Sequence, residues 1–360
     1  MARLHNFSAG PAVLPVSVVE ELRDNLLDLN GSGIGLMEIS HRSKTFQAVV
    51  DGAVARIKRV LSVPDDHTVL FLQGGASLQF YMTALNLLRP GEAADYLVTG
   101  TWSQKAIKEA KRIGNAKAIW DDAPNNFKRV PGDDDYTVRD EAVFLHYTSN
   151  NTIYGTEFKR TPSSQGKPLV ADLSSDIAGV PVEIAKHDLV YAGAQKNLGP
   201  SGVTLVMLSP WALSRVPEGL PAMLDYKVHA KDGSLYNTPN CVGIYVIERV
   251  FAWMEQNGGL PAMIARNEAK AGELYAELDR TGFWRPHAAK DCRSVMNVTW
   301  RLPSEELEER FVKEAKAAAM DGLKGHRSVG GIRASLYNAL EPASVSALVG
   351  FMREFERKNG

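Results

Sequence analysis

The sequence predicts an α/β chain, a mostly parallel open sheet wrapped by helices and followed by a smaller α+β unit. Three observations carry that expectation. Short apolar runs bounded by turn formers recur at 69–72, about 95–99, about 116–120, about 142–147, 168–172, 189–193 and 203–208, as for strands buried on both faces. Helix-period segments fall between several of these runs, the spacing that parallel crossovers need. After Gly258-Gly-Leu-Pro261 the rhythm changes to helix, strand, helix, Gly-rich turn, strand, helix, which marks a hinge and a second unit. The expected division is a large domain over 16–258, with residues 1–15 and 259–360 forming the small one.

Bulk composition suits this plan and excludes others. The chain has 360 residues, 44% apolar and 23% charged, with a net formal charge of −1. That composition supports a large core and argues against a general nucleic-acid or membrane-surface role. Cys241 and Cys292 leave no room for a disulfide framework and have no metal-ligand spacing, so both are expected to be plain core thiols and no metal is expected. The first residues lack a signal-peptide apolar core, and no apolar run approaches membrane-spanning length. A soluble, cytoplasmic protein is expected.

Taken in order, Asn6-Phe-Ser-Ala-Gly-Pro11 is turn-rich and leads to a Pro-initiated helix at about 15–29. Asn30-Gly-Ser-Gly-Ile-Gly35 ends that helix and is no dinucleotide fingerprint, since it follows a helix and its spacing is wrong. Met37-Glu-Ile-Ser-His-Arg-Ser43 enters a helix at about 43–61, with Ser40 or Ser43 as cap and His41-Arg42 at its entrance. The run at 69–72 passes into Gln73-Gly-Gly-Ala-Ser77 and a helix to about Leu88. Strand, Gly-rich turn and helix N-terminus together present backbone N–H groups to an anion, with the Ser77 hydroxyl added; a plain βα turn packed closely by glycines reads equally well.

Trp102 follows a strand end in Gly100-Thr-Trp-Ser103, where a flat ring covers a heteroaromatic ligand or simply packs at the rim. Residues 123–135 read as an exposed loop. Glu141-Ala-Val-Phe-Leu-His-Tyr147 runs into Thr148-Ser-Asn-Asn-Thr152, a strand end rich in small hydrogen-bonding groups. Residues 210–239 read as an extended excursion containing Tyr236-Asn-Thr-Pro239, and a mostly apolar helix is expected at about 241–256. Beyond the hinge the sequence predicts helices at about 262–280, 305–320 and 343–358, with strands at about 294–301 and 332–337.

Two positions carry a specific chemistry. Asp172 ends one apolar run, and Lys196 lies 24 residues later in the Gly-rich loop after the next. Groups at the carboxyl ends of strands in an open α/β sheet meet in one crevice. A carboxylate and a lysine delivered there suit pyridoxal 5'-phosphate (PLP), the lysine as Schiff-base partner and the acid opposite the pyridinium nitrogen. Alone, the pair also reads as a solvated loop cation and a helix cap. In the last third, His326, Arg327 and Arg333 crowd into Gly325-His-Arg-Ser-Val-Gly-Gly-Ile-Arg-Ala-Ser335. Arg333 sits on an otherwise apolar strand, where an unpaired guanidinium is costly. It calls for an anionic partner, either a ligand or a structural ion pair.

These blocks in sequence order resemble the phosphoserine aminotransferases, class V, fold-type I PLP enzymes. The resemblance runs from Asn6-Phe-Ser-Ala-Gly-Pro-Ala12 through Glu38-Ile-Ser-His-Arg-Ser43, Gly74-Gly-Ala-Ser-Leu-Gln-Phe80, Ala194-Gln-Lys-Asn-Leu-Gly-Pro-Ser-Gly202 and Tyr236-Asn-Thr-Pro239 to Gly330-Gly-Ile-Arg-Ala-Ser335. It implies a large domain with a mostly parallel seven-stranded sheet. It implies that Lys196 holds PLP and Asp172 pairs with the ring nitrogen, that Trp102 stacks on the pyridine and that Thr152 bonds its phenolic oxygen. Ala76, Ser77 and Gln195 would cradle the phosphate. Asn237 and Thr238 would reach it from the other subunit of a homodimer, and His41 and Arg42 likewise come from the neighbour. Some members carry Arg where this chain has Ser77, which leaves the charge around the phosphate open.

The reaction implied exchanges an amino group between L-glutamate and 3-phosphohydroxypyruvate, giving O-phosphoserine and 2-oxoglutarate in serine biosynthesis. The phosphorylated hydroxythreonine precursor of pyridoxine is a further substrate the family allows. Charge matching agrees: with Arg333 on the α-carboxylate, His41, Arg42, His326 and Arg327 remain for a phosphate or a γ-carboxylate. A cysteine desulfurase is a rival within class V, but it needs a mobile nucleophilic cysteine near the cofactor. A non-catalytic phosphometabolite binder is a rival from another class, distinguished by lacking the yellow colour of a lysine-bound PLP.

Overall fold

The computed structural model describes residues 3–360. Seven strands form one sheet: Thr68–Leu72 (β1), Ala93–Val98 (β2), Asn115–Asp121 (β3), Ala142–Thr148 (β4), Leu169–Asp172 (β5), Leu189–Gly193 (β6) and Thr204–Leu208 (β7). Their spatial order is β1-β7-β6-β5-β4-β2-β3. All neighbours are parallel except β7, which runs antiparallel to both β1 and β6.

The strands are apolar throughout because both faces are covered. Successive residues alternate between two cores. Leu97, Leu145, Ala171, Val190 and Leu205 face the helices Lys44–Leu61 and Cys241–Gln256. Tyr96, Phe144, Val170, Leu189 and Val206 face the helices Gly75–Leu87 and Thr101–Ala110. Each such side chain contributes roughly 1.5–3 kcal/mol by burial, so this apolar sandwich supports the cost of burying polar groups at its rim.

The remaining chain builds a third core around Phe7, Trp284, Trp300, Phe311 and Phe355. It holds a three-stranded antiparallel sheet of Arg285–Pro286, Asn297–Arg301 and Ile332–Ser335. The helix Gly259–Leu278 joins this core to one face of the large sheet, with Met263 in the core of that face and Leu274 in the third. It starts three residues before the expected 262, because the N–H that Pro261 lacks would have no intrahelical acceptor in the first turn.

Other elements end earlier than the pattern predicts. The helix expected to 29 stops at Asn25, and the helix expected to 320 stops at Ala317, with Ala319 in the left-handed region. The expected exposed loop at 123–135 contains two short 3-10 turns and a buried Phe127. Of the two cap candidates, Ser43 is the cap, accepting from Phe46 N at 3.1 Å, while Ser40 Oγ accepts from Arg42 N. Among the described residues no helix is long and apolar enough to cross a membrane.

Candidate active site

The parallel strands β5 and β6 end at the same edge of the sheet, so Asp172 and the loop carrying Lys196 emerge side by side. Asp172 is 3% exposed and Lys196 8%. Burial raises the Asp172 carboxyl above its ordinary range. Two bonds from Ser174, N at 2.9 Å and Oγ at 2.6 Å, and the charge of Lys196 oppose that shift. Both bonds end on Oδ1, and none of the described residues donates to Oδ2. Ser174 Oγ also accepts from Gly193 N at 3.1 Å, stitching the two strand ends together.

Burial likewise drives the Lys196 amine down, to about 8, with Arg333 adding to the effect and Asp172 resisting it. Nζ donates to Thr152 Oγ1 at 2.6 Å. The Thr152 carbonyl accepts from Arg333 Nη1 at 3.1 Å, so one residue joins the lysine to the arginine. Arg333 has no carboxylate partner among the described residues, and its Nε is buried without any partner. Burial lowers its pKa. The structural ion pair that its apolar strand left open is therefore absent among those residues.

The rim is built by glycine-dependent approaches. Gly10 has φ +137°, and a Cβ there would touch the Lys196 and Gln195 side chains at 3.4 Å, so the N-terminal turn lies directly on the lysine. Ala12 N donates to Gln195 O at 2.9 Å. On the other side Lys196 Nζ stands 5.8 Å from the Trp102 ring centroid, and Trp102 Nε1 is buried without a partner. Gly74, at φ +88°, turns β1 into the helix Gly75–Leu87, whose first turn holds Ala76 and Ser77. The opening N–H groups of a helix have no intrahelical acceptors, so this corner offers donors and a dipole to an anion.

The expected residues divide into two sets. Asp172, Lys196, Thr152, Trp102 and Arg333 come together within one chain. His326 stands with Arg333, since its pKa is lowered by burial and then by the charges of Arg333, Arg327 and Lys105. No hydrogen bond brings Asn237, Thr238, His41 or Arg42 to this cluster. Asn237 lines a small cavity beside Gln73, Leu78 and His229, and Gln73 Nε2 donates to Thr238 O at 3.3 Å. Arg42 is exposed, and His41 Nε2 is buried without a partner.

Sequence reasoning missed Ser174, Lys105 and Asp176. Ser174 sits two residues past the strand end, a spacing that allows a serine to turn back on the preceding carboxylate. Lys105 lies one helical turn after Trp102, with Nζ 4.7 Å from its ring centroid. Asp176 is buried beside Asp172 and takes a hydrogen bond from Ser149 Oγ. Burial and the nearby Glu157 push its carboxyl well above the ordinary range. Nothing in the local pattern signals it. Burial raises the Cys241 thiol and pushes Cys292 up to about 11, which disfavours the thiolate; of the two expected core thiols Cys292 is buried and Cys241 only partly so.

A lysine and a carboxylate at adjacent parallel strand ends, under an unpaired arginine, define an enzyme of the PLP-dependent transferase class. A model of the class-V aminotransferases matches residues 4–348, and the chain belongs to that family. Within it, the chain is 50% identical to a phosphoserine aminotransferase of Geobacillus kaustophilus and 51% identical to one of Desulfosudis oleivorans, covering 99% of both partners in each case. The structure of a phosphoserine aminotransferase from Bacillus circulans subsp. alkalophilus superposes with a TM-score of 0.97 at 45% identity over 99% of each chain. A PLP-bound phosphoserine aminotransferase of Trichomonas vaginalis gives 0.93 at 35% identity, over 98% of this chain and 100% of that one.

Proposed function

We propose that this chain transfers an amino group between L-glutamate and 3-phosphohydroxypyruvate, giving O-phospho-L-serine and 2-oxoglutarate in serine biosynthesis in the cytoplasm. The observation that carries the reading is the Lys196–Thr152–Arg333 link beside Asp172. It sets an amine depressed to about 8 next to a guanidinium that has no acid partner among the described residues.

The residues fit PLP. Among the described residues nothing donates to Asp172 Oδ2, which leaves it for a ring nitrogen; the Trp102 ring faces Lys196, and the turn at Gly74–Ser77 suits a phosphate, which Gln195 would help to hold by the family's arrangement. PLP supplies an electron sink for the bond broken at the substrate Cα. Asp172, held by Ser174, keeps a facing pyridinium protonated. Thr152 Oγ1 holds Lys196 Nζ, and the free amine would move a proton at the substrate Cα as base and acid. Arg333 grips the α-carboxylate in a two-pronged fork. His326 and Arg327, and by the family's arrangement His41 and Arg42 of a second subunit, meet the phosphate or the γ-carboxylate.

The active unit in this reading is a homodimer, with Asn237 and Thr238 lent to the partner's phosphate site. Exposed apolar side chains support it: Leu27 is 88% exposed and Met37, four residues before His41, 74%, while Met223 lines one cavity with Asn237 and the exposed Tyr236 precedes it. Such side chains in water suggest a covered face. The large domain is placed at 16–258, with 1–15 and 259–360 as the small one. 4-Phosphohydroxy-L-threonine of pyridoxine biosynthesis is a second proposed product of the same site. A coupled assay with L-glutamate and 3-phosphohydroxypyruvate tests the reading. Absence of O-phosphoserine formation by the PLP-loaded protein refutes it.

A further inference from the structure

The loop that carries His326 and Arg327 is poorly suited to hold itself in place. It begins and ends in glycine, and Gly330 and Gly331 lie at φ +75° and +69°, so ordering it costs more backbone entropy than usual. His326 lies within reach of the charges of Arg333, Arg327 and Lys105. Internally the loop is closed by Gly325 N to Gly331 O at 2.8 Å, and by Val329 N and Gly330 N to His326 O at 2.9 and 2.8 Å.

An ion pair between a half-exposed arginine and a buried glutamate grips this loop from behind. Arg301, at the end of the strand Asn297–Arg301, donates through Nε to Glu308 Oε1 and through Nη1 to Val329 O at 3.1 Å. Glu308, 6% exposed in the helix Glu305–Ala317, accepts from Gly331 N at 3.1 Å through Oε2 and from Leu302 N at 3.2 Å through Oε1. Two of the pair's bonds therefore end on the loop's own backbone, one on each side of Gly330. Gly331 leaves no room for slack, since a Cβ there would stand 2.6 Å from both Trp300 O and Arg301 Cδ. The helix needs no such pair for its own attachment, because Phe311 and Ala315 bury it in the core.

We propose that Arg301 and Glu308 are positioning residues that hold the 325–331 loop, and so His326 and Arg327, ready for a substrate's distal anionic group. The proposal rests on the transaminase reading above. It accounts for a nearly buried carboxylate whose oxygens end on Arg301 and on the loop backbone. The carboxylate of Glu308 secures a loop that carries Arg327 and His326 close to the charge of Arg333, before any substrate phosphate arrives.

The test replaces the pair by apolar groups of similar volume, Arg301→Met with Glu308→Leu, since removing Arg301 alone leaves the buried Glu308 charge without its partner. Glu308→Gln serves as the conservative variant. Hydrogen exchange of the 325–331 amides, measured on the PLP-loaded protein without substrate, is expected to speed up about tenfold in the double variant, with the rest of the chain unchanged. KM for 3-phosphohydroxypyruvate is expected to rise about tenfold, with kcat within about twofold. If the double variant does not fold, Glu308→Gln carries the same readouts with smaller shifts. Unchanged loop exchange overturns the proposal, as does faster exchange with an unchanged KM. Wild-type protein that fails to turn over 3-phosphohydroxypyruvate refutes the transaminase reading instead and leaves the exchange result to stand alone.

Discussion

The chemical centre and the anion-recognition surface of this molecule are built in opposite ways. Asp172, Thr152 and Lys196 are nearly fully buried, sit at or just beyond the ends of rigid strands, and are tied to one another or to Ser174 by short hydrogen bonds. His41, Arg42, His326 and Arg327 sit on loops, partly or fully exposed, and meet no carboxylate among the described residues. Burial tunes the first set, setting an amine near neutrality and shielding a carboxylate from water. Exposure leaves Arg42 and Arg327 of the second set open to a phosphate. A transaminase acting on a phosphorylated keto acid needs both, and the fold separates them by distance from the sheet.

The sharpest test of this division is Lys196→Ala. Nearly all turnover should vanish while the fold survives, because the small residue relieves a buried polar group. Borohydride reduction of the PLP-loaded wild-type protein followed by peptide mapping checks the assignment, and label on any other lysine breaks it. Asp172→Asn should leave the pocket's shape intact yet lower transamination by several orders of magnitude, since an amide cannot hold a pyridinium proton. A near-normal kcat would remove the electron-sink role from this residue.

On the recognition side the effects should be smaller and selective. Arg333→Leu should cost roughly 10- to 150-fold in kcat/KM in both half-reactions, the worth of one charged hydrogen bond, because every substrate carries an α-carboxylate. Arg42→Ala should harm glutamate and the phosphorylated substrates to a similar or lesser degree, while PLP affinity, read by equilibrium dialysis, changes little. Mixing the Arg42→Ala and Lys196→Ala proteins tests whether sites are shared. Subunit exchange should restore up to about half the activity per mixed dimer if Arg42 serves the partner's site, and none if it serves its own.

The mildest effect concerns pH. Only the neutral amine of Lys196 attacks an aldehyde. With its pKa depressed to about 8, covalent capture of PLP by the apoprotein should rise about tenfold per unit up to pH 8 and flatten above it. The same depression makes the apoprotein gain stability from about pH 8 towards 10.5, where the unfolded lysine still binds a proton that the folded one has lost. Lys196→Met should abolish this component of the alkaline gain in chemical-denaturation curves. An unchanged slope would mean that burial does not set this amine apart.

The sequence by itself determined the scaffold and the reacting pair. Apolar runs of strand length separated by helix-period segments admit little besides a doubly covered sheet. Strand ends in such a sheet share one edge, so Asp172 and Lys196 had to converge. Arg333 was legible for the same reason, as a charge on an otherwise apolar strand. Tertiary structure alone decided what each group meets. Thr152 bridges Lys196 to Arg333 across residues 152, 196 and 333, and Ser174 binds Asp172 and Gly193 across two strands. Arg301 and Glu308 reach a loop more than twenty residues away. Hydrogen bonds depend on directions and distances of a few tenths of an ångström, which packing sets and which residue order along the chain does not encode.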